Sequence, residues 1–138
     1  MTSEDAIRLI GLSHLLQPPL TTLLARRLGL RSAFSSLPPI AFGVAQNMAV
    51  AAVALPTLLG VFIAWQAPEI VAQGSAWSVA LATSLFWTFR LERQLRAIGP
   101  MLTGKNRFFH PVLTAIFVVQ GPLLAILVLA IRVSGIAR

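Results

Sequence analysis

The run from Ile40 to Trp65, IAFGVAQNMAVAAVALPTLLGVFIAW, contains no Asp, Glu, Lys or Arg. Wound as a helix it reaches about 39 Å, enough to cross a hydrocarbon core of about 30 Å with some tilt. No small soluble domain needs so long an uncharged run, so the sequence points to a transmembrane helix. The charge count agrees: 11% of the 138 residues are charged and 57% hydrophobic, against about 25% charged in a soluble domain. Residues 1–138 are read as a single membrane domain of three or four helices, with no length left for a separate catalytic domain. Cysteine is absent, which excludes a disulfide, a thiolate metal site and a Cys nucleophile. The acidic start, Met1–Asp5, does not have the pattern of a secretory leader.

The fold class expected is an all-α integral membrane protein with three spans, at about 40–65, 75–90 and 111–131. Pro56 denies a backbone bond to the Ala52 carbonyl and predicts a kink in the first span. Trp65 suits a membrane interface, as do Trp77 and Trp87 at the two ends of the second span. That second helix is expected to continue past the membrane. Leu91, Leu95 and Ile98 keep an apolar stripe, Arg90, Arg93 and Arg96 turn to water, and Glu92 pairs with Arg96. Gly99–Pro100 stops it. Pro111 opens the third span, and Gln120, Gly121 and Pro122 interrupt its middle.

Residues 1–31 admit two readings. Thr2 and Ser3 are good N-caps, Glu4 and Asp5 suit a helix N-terminus, and Pro18–Pro19 divides the stretch into two helical pieces. Leu9 to Ala25 is uncharged but short for a span, and it carries Ser13, His14, Gln17 and both prolines. The reading favoured is an amphipathic, Pro-broken helix pair in the interface. The other is a fourth span buried among the rest.

Net charge is +7, and ten of the eleven basic residues are Arg. They stand at the ends of apolar runs, which the positive-inside rule and anionic headgroups explain without nucleic acid. Arg26, Arg27 and Arg31 precede the first span; Arg90, Arg93, Arg96, Lys105 and Arg107 lie in the basic connector 90–110. These ends are expected to be cytoplasmic, with Glu69 outside and the C-terminal Arg132 and Arg138 as a mild exception. The Arg-rich composition fits a bacterial cytoplasmic (inner) membrane.

Candidate sites follow from chemistry. Ala76, Ala80, Ser84 and Thr88 recur every four residues, as do Gly121 and Ala125, and Ala41, Ala45 and Ala49. Such rows let helix backbones approach, within this chain or against another subunit. Gln46, Asn47, Gln120 and Thr114 are intramembrane polar residues suited to interhelical hydrogen bonds, or to lining a quinone or small-ligand pocket. His14 and His110 are the only histidines; two imidazoles facing each other at one depth could hold haem, and each also has a plain capping or polar-face role. No cofactor is firmly implied, with haem, quinone or pigment contact as the options. Arg90, Arg93, Arg96, Lys105 and Arg107 could meet lipid headgroups or an acidic partner. No paired carboxylates, HExxH, GxSxG or phosphate loop is present, so no enzyme is expected. Nor do the three spans carry the ionisable residue that coupled transport leaves.

The function expected is a non-catalytic accessory subunit of a larger membrane complex, respiratory or photosynthetic, acting in packing, assembly or stabilisation. Its partners would be other integral membrane subunits and anionic lipids. A homo-oligomeric small transporter or channel is the alternative, and a haem- or quinone-associated membrane anchor the third reading.

Overall fold

A computed structural model describes residues 1–136 and is helical, with no strand among the described residues. Arg138 lies outside them. The helices are α1 (Ser3–Ser13), α2 (Gln17–Arg27), α3 (Leu30–Ser35), α4 (Pro39–Trp65), α5 (Ala67–Val71), α6 (Ser75–Arg93), α7 (Phe109–Val118) and α8 (Leu124–Ile136). Two helical stretches are long and apolar enough to cross a membrane: α4, and the run Gly104–Gly135 that contains α7 and α8.

The N-terminal helix pair is less broken by its prolines than expected. A capping box of Thr2 and Asp5 starts α1. A 3-10 turn, His14–Leu16, then joins α1 to α2 with right-handed helical backbone on both sides. Pro18 and Pro19 fall in the first turn of α2, where a missing N–H costs little. The result is a rod about 37 Å long at 1.5 Å per residue. It runs antiparallel along α4: Gly11 lies against Gly60 and Ala64, while Thr21 and Ala25 lie beside Ala45 and Ala49. Its outer face is apolar too, with Leu9, Leu12, Leu16 and Leu23 exposed.

Prolines elsewhere are absorbed in related ways. Helix α4 continues through Pro56, and the Thr57 hydroxyl donates to the Val53 carbonyl at 2.9 Å one turn below. Between α7 and α8 a π turn, Val119–Leu123, takes up Gly121 and Pro122, so the chain stays helical across the expected break. A second π turn, Gln94–Ile98, extends α6 to Gly99, and Arg96 pairs with Glu92 at 3.3 Å as the spacing predicts.

Two apolar clusters form the core. Toward one end, Ile7, Ile10, Ile63, Ile70, Ala76, Ala80, Leu124 and Val128 pack together. Toward the other, Leu24, Trp87, Leu102, Phe109, Leu113 and Phe117 do so. The first end is also tied by polar contacts from the α5–α6 turn. Gln73, at φ 60°, donates to the Ile131 carbonyl at 3.0 Å and accepts from Arg132 at 2.8 Å. The Trp77 indole donates to the Val128 carbonyl at 3.0 Å. The second end holds Arg26, Arg27 and the basic connector, with the Arg27 guanidinium 5.7 Å from the Phe109 ring centre.

Trp87 is not at an interface as expected. It lies on the inner stripe of α6, 2% exposed, and stacks on Phe117 with ring centres 5.7 Å apart.

Candidate functional site: a polar layer inside the bundle

Between the two clusters lies a layer of buried polar side chains. Chain order places them there: His14 and Gln17 fall between Ile10 and Leu24, Thr83 and Ser84 between Ala80 and Trp87, and Gln120 between Phe117 and Leu124. All five are at most 4% exposed, and His14, Ser84 and Gln120 are fully buried. Three close approaches build the layer. Gly60 lets α1 meet α4, since a Cβ there would stand 2.5 Å from the His14 Cβ and 2.6 Å from the Gly11 carbonyl oxygen. Gly121 lets its π turn meet α6, since a Cβ there would stand 2.6 Å from the Thr88 backbone N. The His14 ring meets the edge of Trp87 with centres 5.7 Å apart.

The hydrogen bonding of the layer is incomplete. The His14 Nδ1 lies 2.9 Å from the Ile10 carbonyl. A carbonyl only accepts, so Nδ1 carries the proton and Nε2 presents a lone pair. Ser84 donates to Leu81 at 2.7 Å. By contrast, His14 Nε2, Gln17 Oε1, Trp87 Nε1, Thr114 Oγ1 and both amide atoms of Gln120 are buried with no partner. Groups left in that state cost about 1–3 kcal/mol each. The layer therefore offers three donor groups, the indole N–H, the Thr114 hydroxyl and the Gln120 amide, and four acceptors from His14, Gln17, Thr114 and Gln120. That set can bind water or a small neutral polar molecule. It cannot perform acid–base chemistry on carboxylates, because all four acidic residues lie at helix ends or connectors, and no metal-ligand cluster exists among the described residues.

The structure sorts the expected site residues. Ala76 and Ala80 pack with Leu124 and Val128 of α8, Ser84 is buried, and Thr88 meets Gly121, so this row serves the chain's own packing. Ala125 on α8 is half-buried. Gln120 and Thr114 turn inward but bond to no neighbouring helix, and Gln46 and Asn47 are exposed on α4 rather than joined across it. His14 and His110 are not brought together. His14 touches Trp87, whereas His110 lies against Gln94 and Gly99, a turn or more further along, with its Nδ1 3.4 Å from the Gln94 amide. They do not form the facing pair that a bis-imidazole haem site requires. His110 instead lines a 420 Å³ cavity with Leu102 and Arg107. Arg90 is half-buried, and Arg93, Arg96, Lys105 and Arg107 are exposed around that end.

Sequence reasoning did not place Gln17 or Gln94 in a site, took Trp87 only as an interface residue, and missed the Gly11–Gly60 crossing. The available signal was Gln17 beside His14 in an otherwise leucine-rich stretch. Comparison with protein-family models, curated proteins and solved structures finds no match to this chain.

Proposed function

We propose that this chain is a membrane-embedded, non-catalytic accessory subunit that packs against another membrane protein through α4. The observation that carries the reading is the bareness of that helix. Only 17% of its most apolar stretch is buried, and Ile40, Val44, Met48, Val50 and Leu58 are all more than half exposed. A water-soluble monomer does not leave a face of this extent to solvent. In this reading the rod α1–α2, α4, α6 and the α7–α8 run all cross the bilayer, which adds the N-terminal span to the three expected. Arg26, Arg27, Arg31, Arg90, Arg93, Arg96, Lys105 and Arg107 then share the cytoplasmic end, and Glu4, Asp5 and Glu69 the outer end.

The polar layer favours a second reading, a small homo-oligomeric transporter or channel. With the rod inside the bundle, His14 is an ionisable side chain at mid-depth, which the sequence argument against coupled transport had placed outside the membrane.

Native mass separates the two. Membranes carrying a C-terminally tagged chain are extracted in mild detergent and resolved on native gels. A photo-crosslinking residue at Leu58 should join the chain to a different membrane protein in a heavy band, with respiratory and photosynthetic complexes the first to examine. A discrete homo-oligomer, with Leu58 crosslinked only to itself, would overturn the accessory reading in favour of transport.

A further inference from the structure

The same α4 borders a second feature, on the side where α2 and α3 approach it. A groove of 840 Å³ opens there, within the volume range of small-ligand sites. Its walls are Phe34, Phe42, Ala45, Ala49 and Val53, and Arg26 and Arg31 stand at its rim. Sequence explains each part. The alanines of α4 remove side-chain bulk where α2 passes, which leaves a trough. Gly29, at φ 65°, takes the left-handed turn between α2 and α3, and Arg31 of α3 lines the groove with Arg26 of α2.

Three observations point to one occupant. From Phe42 to Val53 the trough covers about 17 Å of helix, close to the ~15 Å of one leaflet of hydrocarbon. It begins at the Arg-bearing end of α4, where headgroups lie if α4 crosses the bilayer. No acidic residue lines it, and neither Arg26 nor Arg31 is paired with a carboxylate among the described residues. We propose that the groove binds one anionic glycerophospholipid, with an acyl chain along Ala45, Ala49 and Val53 and the phosphate between Arg26 and Arg31. The site is separate from the connector arginines, which face bulk headgroups. It rests on the membrane-crossing reading of α4, not on the accessory-subunit role.

Native mass spectrometry tests it on the purified full chain in mixed micelles of dodecylmaltoside with equal phosphatidylglycerol and phosphatidylcholine. The wild type should retain one phosphatidylglycerol in preference to phosphatidylcholine. Arg26→Gln with Arg31→Gln should lower that preference about 25-fold, from about five-fold per basic residue near a headgroup. Ala49→Phe should expel lipid of either kind by filling the trough. Arg93→Gln with Lys105→Gln removes equal charge elsewhere and should leave retention unchanged. Equal loss in that control, retention by the Arg26/Arg31 variant, or a neutral lipid in the wild type would each overturn the proposal. So would retention by Ala49→Phe. Failure of the membrane reading is visible separately, as wild-type chain that stays in solution without detergent or vesicles.

Discussion

Alanine at Gly60 puts the crossing of α1 on α4 under direct strain. The added methyl would stand 2.5 Å from the His14 Cβ and 2.6 Å from the Gly11 carbonyl oxygen. Carbon atoms attract at about 3.5–4.0 Å, so the two helices must separate by about 1 Å. Overpacking of this kind costs about 1–3 kcal/mol, while replacing a helical glycine by alanine returns about 0.5–1 kcal/mol. The net expectation is a loss of about 1–2 kcal/mol. Gly43 is the control within the same helix. A Cβ there meets nothing within 4 Å, so Gly43→Ala carries only the propensity gain and should stabilise by about 0.5–1 kcal/mol. The assay is reversible unfolding of detergent-solubilised protein by added SDS, followed by tryptophan fluorescence, with Trp87 reporting because it is buried against His14. Opposite shifts of the unfolding midpoint are expected for the two alanines. Shifts in the same direction, or an unchanged midpoint for Gly60→Ala, would refute the close crossing and with it the antiparallel placement of the rod.

Gln120→Leu removes two unpartnered buried amide atoms and should raise stability by about 1 kcal/mol or more in the same SDS titration; a loss would mean that the amide is bonded in the membrane. The Glu69 carboxyl accepts from the Ser75 hydroxyl at 2.8 Å and from the Ala76 N–H, which together hold its pKa below the ordinary value. A lowered folded pKa gives stability that is present above about pH 4.3 and lost as pH falls through the folded value. Glu69→Gln should therefore flatten the acid limb of a stability–pH curve, and an unchanged limb would sink the assignment. Because the chain has no native cysteine, Ser3→Cys and Ser35→Cys can each be labelled cleanly in intact cells with an impermeant maleimide. Label should reach Ser3→Cys from outside and Ser35→Cys only after lysis; label at both from one side would return the rod to the interface.

The strongest signals in the sequence were those of single helices. The uncharged stretch of α4, the cap at Thr2, the Glu92–Arg96 pair and the end near Gly99 are all local, and the structure has each of them. What escaped were relations between helices. Pro18–Pro19 reads as a break when only its own segment is considered, yet first-turn prolines leave the rod intact. Trp87 has the composition of an interface residue, and only its position on the inner stripe of α6 buries it. The polar layer was half visible, since His14, Gln120 and Thr114 were singled out, but one depth for residues more than a hundred positions apart follows only from packing. The alanine row of α4 was read as a helix contact; α2 does pass it at Thr21 and Ala25, and Ala45 and Ala49 also floor the open trough beside that crossing.

The antiparallel pairing of the rod with α4 also bears on how the chain comes together during synthesis. The first 65 residues form a hairpin with its own interface, complete before α6 and the α7–α8 run have left the ribosome. At that stage His14 and Gln17 have one wall, supplied by α4, and are open on the side where Trp87 and Gln120 will stand. Arrival of α6 and the α7–α8 run encloses them. The polar layer is thus closed by the final helices made, and a chain stalled before α8 would leave an imidazole and an amide uncovered, the kind of exposed polar surface that quality control can recognise.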